Sequence, residues 1–521
     1  MVNTELDKAW RSTCKILFRE EIGSYSEYVE WLAEFVDPLL TKKSGFSGKE
    51  VVYSNQDYSP KAKCISLDEV DENKKFELPN ISDIKDIDSI VEAIQDRIYY
   101  AGNMILGNSK YVEKSSNIND SFYVHNTSLS GNSKYLGFCT LARVDTHGFG
   151  GNAFSQCEFC LKCHELTRVK RSFELWMSQD CADCYYSHGL KNCSNCFFCF
   201  NIENKRYAVG NLELGPEKYQ EIKNRLIKEM LAVVKSSKRL PSLLEIIKKA
   251  GKKVSAPLTG KDNTPEQKLD KTKIEQAFVQ TMQIIFKKKP SNGIDLFGSW
   301  LVKHTRGLEK CQSAASGKDL FLAEYGNYAD LPKNRLLTIE EAKKFGSSAK
   351  LGIEEVQNLT FENVHERIEK IAFFNSDIED GQCINDIDCT INIDAVNCYR
   401  TVCSVYSKYC AFSFWPRSSQ YIFGCDTVFD SSFCINCYRS VNLQRCFEMD
   451  SCNSCADSLF CHNCENMQNS MFCFNTKNKQ YAIGNVTMEP AKYIQIKERI
   501  VEQIYQELEK TGKFRYDIFS L

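Results

Sequence analysis

Two long stretches of this chain keep a strict period of three. Every cysteine from Cys139 to Cys199 falls in one residue class modulo three, and all but Cys403 of those from Cys383 to Cys473 share a class too. The pattern is wider than cysteine. Of the 32 every-third positions from Leu106 to Cys199 only Asp145 is charged, although charged residues form 26% of the chain. An α-helix repeats at about 3.6 residues and a strand at about 2, so neither holds a triplet over this length. A polyproline bundle demands glycine at its axis, and glycine is scarce here. The geometry left is a solenoid whose short faces each send one small side chain inward. Cys437, Cys446, Cys455, Cys464 and Cys473 lie nine apart, and Cys163, Cys181 and Cys199 lie eighteen apart. That spacing predicts coils of about 18 residues, with like residues stacked in interior columns.

The chain is also a duplication. Residues 158–211 align without a gap to residues 432–485 at an offset of 274, with 22 of 54 positions identical. The same offset sets SKYLGF (133–138) against SKYCAF (407–412), Arg143 against Arg417, and PEKYQEIKNRL (216–226) against PAKYIQIKERI (490–500). Pro216 and Pro490 suit the first turn of a helix, and Tyr219, Ile222 and Leu226 with their counterparts Tyr493, Ile496 and Ile500 form one apolar stripe. The expected fold is mainly β with α caps: two tandem β-solenoids, each with a mixed α/β N-terminal part and a C-terminal capping helix. The segments are a mixed region (1–104), solenoid one (105–212), its capping helix (213–232), a basic connector (233–290), a second mixed region (291–380), solenoid two (381–486), and a second capping helix and tail (487–521). From Lys228 to Lys289 there are 15 Lys/Arg against 6 Asp/Glu, and helical spacing appears at 240–250 and 272–286. The segments 24–40 and 87–101 also read as helical.

The 26 cysteines admit two readings. Paired CxxC spacings allow a tetrahedral thiolate zinc site, with Cys181, Cys184, Cys193 and Cys196 of copy one as its ligands. Cysteine is equally a small core residue. Comparison of the copies favours the second reading: Cys184 faces Ser458, Cys193 faces Met467, Cys196 faces Ser470 and Ser172 faces Cys446, exchanges that a zinc ligand does not survive. No cofactor is favoured, and zinc is the alternative. His188 and His462 match between copies and are expected to be hydrogen-bonded structural histidines. The start, MVNTELDKAWRSTCKILFREE, lacks the apolar core of a signal peptide, and no apolar run approaches the roughly 18 residues that cross a bilayer. A cytoplasmic protein with no membrane contact is expected.

Each solenoid closes on a related stretch, NKRYAVGN (204–211) and NKQYAIGN (478–485). Lys205, Tyr207, Asn211, Lys479, Tyr481 and Asn485 are its candidate binding residues, although Gly and Asn there also suit a turn into the capping helix. No Walker loop, dinucleotide fingerprint, HExxH or nucleophile elbow is present, so no catalytic residue is assigned. Repeated CxxC triplets, SKYC-like steps and a closing NKxYxIxN before a Pro–x–Lys–Tyr helix resemble uncharacterised cysteine-rich tandem-repeat proteins of uncultivated archaea and candidate-phylum bacteria. The likeness covers both repeat units, not the connector. It implies the repeat fold and brings no activity with it. The expected function is a non-enzymatic scaffold or interaction protein that presents extended surfaces to an unidentified protein partner, with oligomerisation open. The alternatives are a zinc-binding nucleic-acid- or ribosome-associated protein that uses the Lys-rich connector, and an enzyme of unknown class.

Overall fold

A computed structural model of the chain describes residues 2–72, 74, 76–77, 84–249, 270–324 and 328–521. Two sheets of 14 strands each dominate it, one per copy, and nearly all of their pairs are parallel. The reason for the triplet lies in the backbone. From Tyr111 to Gly210, and again from Asn385 to Gly484, every third residue without a break has a positive φ, as at Phe138 (54°) and Asn436 (49°). That conformation costs a non-glycine residue roughly 1–2 kcal/mol, so it persists only where the surroundings enforce it. The residue that follows each left-handed turn is the inward one. These inward residues make up two separate buried clusters, one running from Ile118 through Cys139 and Cys199 to Ala208, the other from Ala395 through Cys437 and Cys473 to Ala482.

The ladder enforces the turn. Each segment pairs in parallel with the one twelve residues on: Lys134 with Thr146, Cys139 with Gly151, Ala182 with Ser194, Cys434 with Cys446. Before a turn the amide donates upward, as from Lys134 to the Asp145 carbonyl (2.9 Å), and at the turn it donates downward, as from Val144 to the Gly131 carbonyl (2.9 Å). The inward residue's own N–H turns into the core. There the side chain twelve positions earlier accepts it: Cys184 on Ser172 (3.2 Å), Cys199 on Ser187 (3.0 Å), Cys437 on Cys425 Sγ (3.2 Å). The accepting hydroxyl or thiol in turn donates to the carbonyl two residues before it, as Ser187 does to Tyr185 (2.8 Å). Inward positions therefore select residues that are both small and able to bond, which serine and cysteine are. Asp145, the lone charged member from Leu106 to Cys199, follows the rule by accepting the Cys157 N–H (2.8 Å), as Asp386 does for the Cys398 N–H (2.9 Å) in copy two, and burial pushes the Asp145 carboxyl well up. Cys403, the cysteine outside the register, occupies a left-handed, half-buried position.

The expected 18-residue coil is corrected to an interval of twelve. The nine-residue spacing of cysteines falls within the inward register because nine is a multiple of three; a thiol reaches the carbonyl nine residues on whatever residue stands there, as Cys446 does to Cys455 O (3.5 Å) and Cys181 to Leu190 O (3.6 Å). In sheet one, Thr146–Ser155 and Lys170–Gln179 are long enough to pair on two sides, and with Glu158–Leu161 and His164–Thr167 they close a four-strand ring.

Helices cover one flank of each sheet. Helix α1 (Val2–Phe18) and α2 (Pro216–Ser237) pack on sheet one, and α3 (Thr272–Phe286) and α4 (Pro490–Thr511) on sheet two. Pro216 and Pro490 open α2 and α4 at their first turn, and Tyr219, Ile222 and Leu226, like Tyr493, Ile496 and Ile500, are buried. Part of the connector is thus core rather than linker: Leu243–Lys249 and α3 are both helical and bury Leu243, Ile247, Phe278 and Phe286, while 250–269 lies outside the described residues. The helical reading of 24–40 shortens to Tyr25–Ala33 before the strand Leu40–Lys43, and that of 87–101 to Ile87–Ala93 before Tyr100–Gly102.

The mixed regions cross over. The described residues of 40–104 lie against sheet two, where Tyr58 bonds Asp450 (2.7 Å), Ala101 N–H bonds His462 Nε2 (2.8 Å) and Asn475 Nδ2 bonds Tyr99 O (2.7 Å). The described residues of 308–376 lie against sheet one, where Asn201 Nδ2 bonds Phe373 O (2.8 Å) and Leu351 N–H bonds Gly210 O (2.9 Å). Asn201 and Asn475 are equivalent between the copies, as are Tyr99 and Phe373, so the exchange is reciprocal. Helix Ile339–Ser348 approaches so closely at Gly346 that a Cβ there would overlap the Asn201 carbonyl.

Candidate functional site

Cys181, Cys184, Cys193 and Cys196 do come together, on successive triplets of adjacent ladder rungs, with Cys184 opposite Cys196. Each lies within bonding reach of a backbone carbonyl: Cys181 of Gln179 O (3.1 Å), Cys184 of Ala182 O (3.3 Å), Cys193 of Lys191 O (3.3 Å), Cys196 of Ser194 O (3.6 Å). The four thiols also bond one another, which holds Cys193 and, against burial, Cys184 below the usual thiol value, at about 4 and about 5, and pushes Cys181 and Cys196 above it. Elsewhere in the columns burial pushes Cys139 up to about 12, and Cys157, Cys437 and Cys446 further in the same direction. Thiols held neutral in this way are poor metal ligands and poor nucleophiles. Among the described residues no group of three or more His, Cys, Asp or Glu is placed to hold a metal ion.

The closing-stretch residues also have structural partners. Lys205 pairs with Glu213 (2.7 Å), and Tyr207 and Tyr481 meet Tyr219 and Tyr493 edge-on at 5.8 and 5.7 Å. The Asn211 amide brackets the backbone of Phe200 (2.8 and 3.1 Å), and the Asn485 amide brackets that of Phe474 (2.8 and 2.7 Å). The carbonyl of Lys479 accepts from Gln468 N–H (3.0 Å). Five of the described basic residues around the connector have carboxylate partners: Lys235 with Glu20, Lys238 with Glu27 (2.6 Å), Arg239 with Glu34 (2.8 Å), Lys271 with Asp295 (3.0 Å) and Lys288 with Glu502 (3.2 Å).

Sheet two carries a buried polar network. Asp450 accepts from Tyr58, from Arg439 and from His462 Nδ1 (2.8 Å), while His462 Nε2 accepts the Ala101 amide, so the ring carries its proton on Nδ1. Burial works to raise the Asp450 carboxyl, but Arg439 and then His462 hold it well below the usual range. The Asp–His pair has the composition of a catalytic dyad without its access: both residues are 0% exposed and the outer ring nitrogen is occupied by backbone. It anchors the crossed-over segment, as the hydrogen-bonded histidine of the sequence reading would. His188, its counterpart, meets Phe374 edge-on at 4.8 Å, and burial lowers it to about 3. Two equivalent glutamates, unremarked in the sequence, sit at left-handed positions under the tails. Glu174 accepts the Leu243 amide (3.1 Å) and Glu448 the Ile518 amide (2.9 Å), and burial raises them to about 7 and about 8.

A cavity of about 300 Å³ with both charged and apolar walls lies between the two sheets. Sheet one, the first strands of sheet two and the crossed-over residues 339–343 and 375–380 line it. Most of its charges are matched: Arg168 to Asp180 (2.8 Å), Lys191 to Asp380 (3.4 Å), Lys343 to Glu203 (3.8 Å). Asp377 accepts the amides of Ile378 (2.8 Å) and Ile391 (2.6 Å), and burial raises it to about 7. Arg143 and Arg417, the pair aligned between the copies, both line the cavity, and among the described residues neither side chain has an ion pair or hydrogen bond. No protein-family model, no curated protein and no solved structure matches this chain.

Proposed function

We propose that the protein is a non-enzymatic interaction scaffold whose sheets are two solenoids of twelve-residue coils, locked into one body by the reciprocal exchange. The observation that carries this reading is where the side chains go. Thiols and the matched histidines are spent inside, whereas the outward left-handed positions form ladders along the length of each sheet. On sheet one Tyr111, Tyr123, Tyr135, His147 and Phe159 stack at 4.7, 5.2, 4.9 and 4.3 Å, and Tyr111 is 43% exposed. On sheet two Tyr409, Tyr421 and Phe433 repeat the arrangement at 5.1 and 4.5 Å. An extended row of half-exposed aromatics is a surface suited to protein contact, since such side chains supply much area at low entropic cost.

The test is affinity capture from the source cells with the wild type and with the double variant Tyr123→Ser/Tyr135→Ser, both checked for unchanged melting. A protein held by the wild type and lost by the variant supports the reading. Capture of RNA, or of a partner indifferent to the substitutions, refutes it.

A further inference from the structure

We infer that the cavity between the sheets is a binding site for a small organic anion, a carboxylate or phosphate on an apolar body, gripped by Arg143 and Arg417. Each arginine ends a strand, Lys134–Arg143 in sheet one and Phe414–Arg417 in sheet two, so the backbone fixes where both side chains start. They converge. The Arg143 guanidinium lies 5.9 Å from the ring centroid of Phe429, and Phe429 is the ladder neighbour of Arg417. Burial and then the Arg417 charge both depress Arg143, which Asp430 only partly opposes.

Two half-buried like charges side by side are costly, and near Arg143 only the Phe429 ring and the Asp430 charge offset them, with no ion pair on either guanidinium among the described residues. Of the wall carboxylates, Asp377 is bonded to amides and raised to about 7, and burial pushes Glu379 toward its neutral form. An oxyanion between the guanidiniums resolves the repulsion, and the planar fork of arginine suits carboxylate and phosphate better than any other side chain. The remaining wall is apolar, formed by Leu141, Met177, Ile378, Ile391, Val405 and Trp415. Trp415 stands edge-on to Phe429 at 5.2 Å. A bare inorganic ion leaves this wall unfilled, and a ligand with an aromatic or aliphatic body covers it. The volume is at the small end of ligand sites. Both copies contribute one arginine each, so the site exists only in the assembled pair. The inference stands independently of the scaffold reading.

Calorimetry on the full chain with phenyl phosphate, benzoate and inorganic phosphate at matched ionic strength tests it. At least one organic anion should bind tenfold or more tighter than inorganic phosphate. Arg143→Gln and Arg417→Gln should each weaken that binding at least tenfold, while Arg171→Gln, whose side chain serves Asp183 (2.7 Å) outside the cavity, should change it less than threefold. Phenylglyoxal labelling of the wild type gives a readout that needs no variant to fold: phenyl phosphate should slow modification of Arg143 and Arg417 at least fivefold. Absence of binding by all three probes, binding indifferent to Arg417→Gln, equal affinity for inorganic phosphate, or labelling unaffected by the ligand would each overturn the assignment.

Discussion

Replacing Ser187 with alanine deletes one oxygen and tests the rule that inward side chains complete the backbone. Ser187 Oγ accepts the Cys199 N–H (3.0 Å) and donates to the Tyr185 carbonyl (2.8 Å), and both Ser187 and Cys199 are 0% exposed. Alanine leaves the buried Cys199 amide without a partner, while the Tyr185 carbonyl keeps the Phe198 N–H (3.1 Å). An unsatisfied buried group costs about 1–3 kcal/mol, so the substitution should cost about 2 kcal/mol. Cysteine at the same place retains both functions, because Cys425 Sγ accepts the Cys437 N–H at 3.2 Å and copy two already carries Cys461 at this position. Ser187→Cys should therefore cost less than about 1 kcal/mol, the price of a slightly larger atom. Hydrogen exchange followed on the peptide around Cys199 reads the difference locally, and urea unfolding reads it globally. A loss of about 2 kcal/mol corresponds to roughly 30-fold faster exchange of the Cys199 amide in the alanine variant. If Ser187→Ala and Ser187→Cys protect that amide equally, the hydrogen-bonding account of the triplet is wrong.

Other expectations follow from the same contacts. Glu448, raised to about 8, is protonated in the fold but has an ordinary value near 4.3 when unfolded. The native state then holds the extra proton, so this contribution to stability is complete below about pH 4.3 and is lost as the pH rises through about 8. Urea titrations from pH 6 to 9 should show stability falling, and Glu448→Gln should flatten the fall by up to about 1.4 kcal/mol per pH unit, whatever constant offset it adds. His304, held up to about 9 by Asp517 and Asp57 against the effect of burial, loses its contribution over the same alkaline window, so Glu448→Gln should not abolish the slope. The reciprocal crossing predicts that 1–249 and 270–521, co-expressed as two polypeptides, purify as a 1:1 complex. Two independently folded monomers in gel filtration would contradict the exchange. Gly346→Ala, which forces a helix away from the Asn201 carbonyl, should lower the melting temperature by several degrees, whereas Gly317→Ala, a turn position with open space around it, should cost only its local φ strain.

Much of the architecture was legible because the pattern is covalent. A strict triplet excludes a helix and a regularly alternating strand, leaving strands broken by a left-handed residue at every third position, and an offset of 274 marks the duplication. Pro216 and Pro490 located their helices for the reason prolines usually do. The twelve-residue interval was not legible. An inward column such as Cys139, Gly151, Cys163, Leu175, Ser187 and Cys199 mixes residue types, because any small side chain fits, and the identities that do recur at twelve, as in Cys184 and Cys196 or Cys434 and Cys446, are interleaved with cysteines three, nine and eighteen apart. Left-handed backbone normally announces itself through glycine and asparagine, but here Phe138, Trp415 and Ile391 adopt it under the force of the ladder. The crossing of 40–104 and 308–376 left no trace, since duplicated sheets present nearly the same surface and the choice between them is tertiary. At the cavity, the match of Arg143 with Arg417 was visible as an alignment, while their convergence depends on how the two sheets meet.

Alkylation of the native protein, counted by mass spectrometry with and without a zinc chelator, tests the central claim most directly. Of the 26 cysteines, all are free and all but Cys383, Cys389 and Cys403 are buried. At most those three should react in the native state, all 26 should react after unfolding without reductant, and the chelator should change neither count. Release of four thiols by the chelator at Cys181, Cys184, Cys193 and Cys196, or ready labelling of the inward cysteines in the folded protein, would contradict the hydrogen-bonded interior.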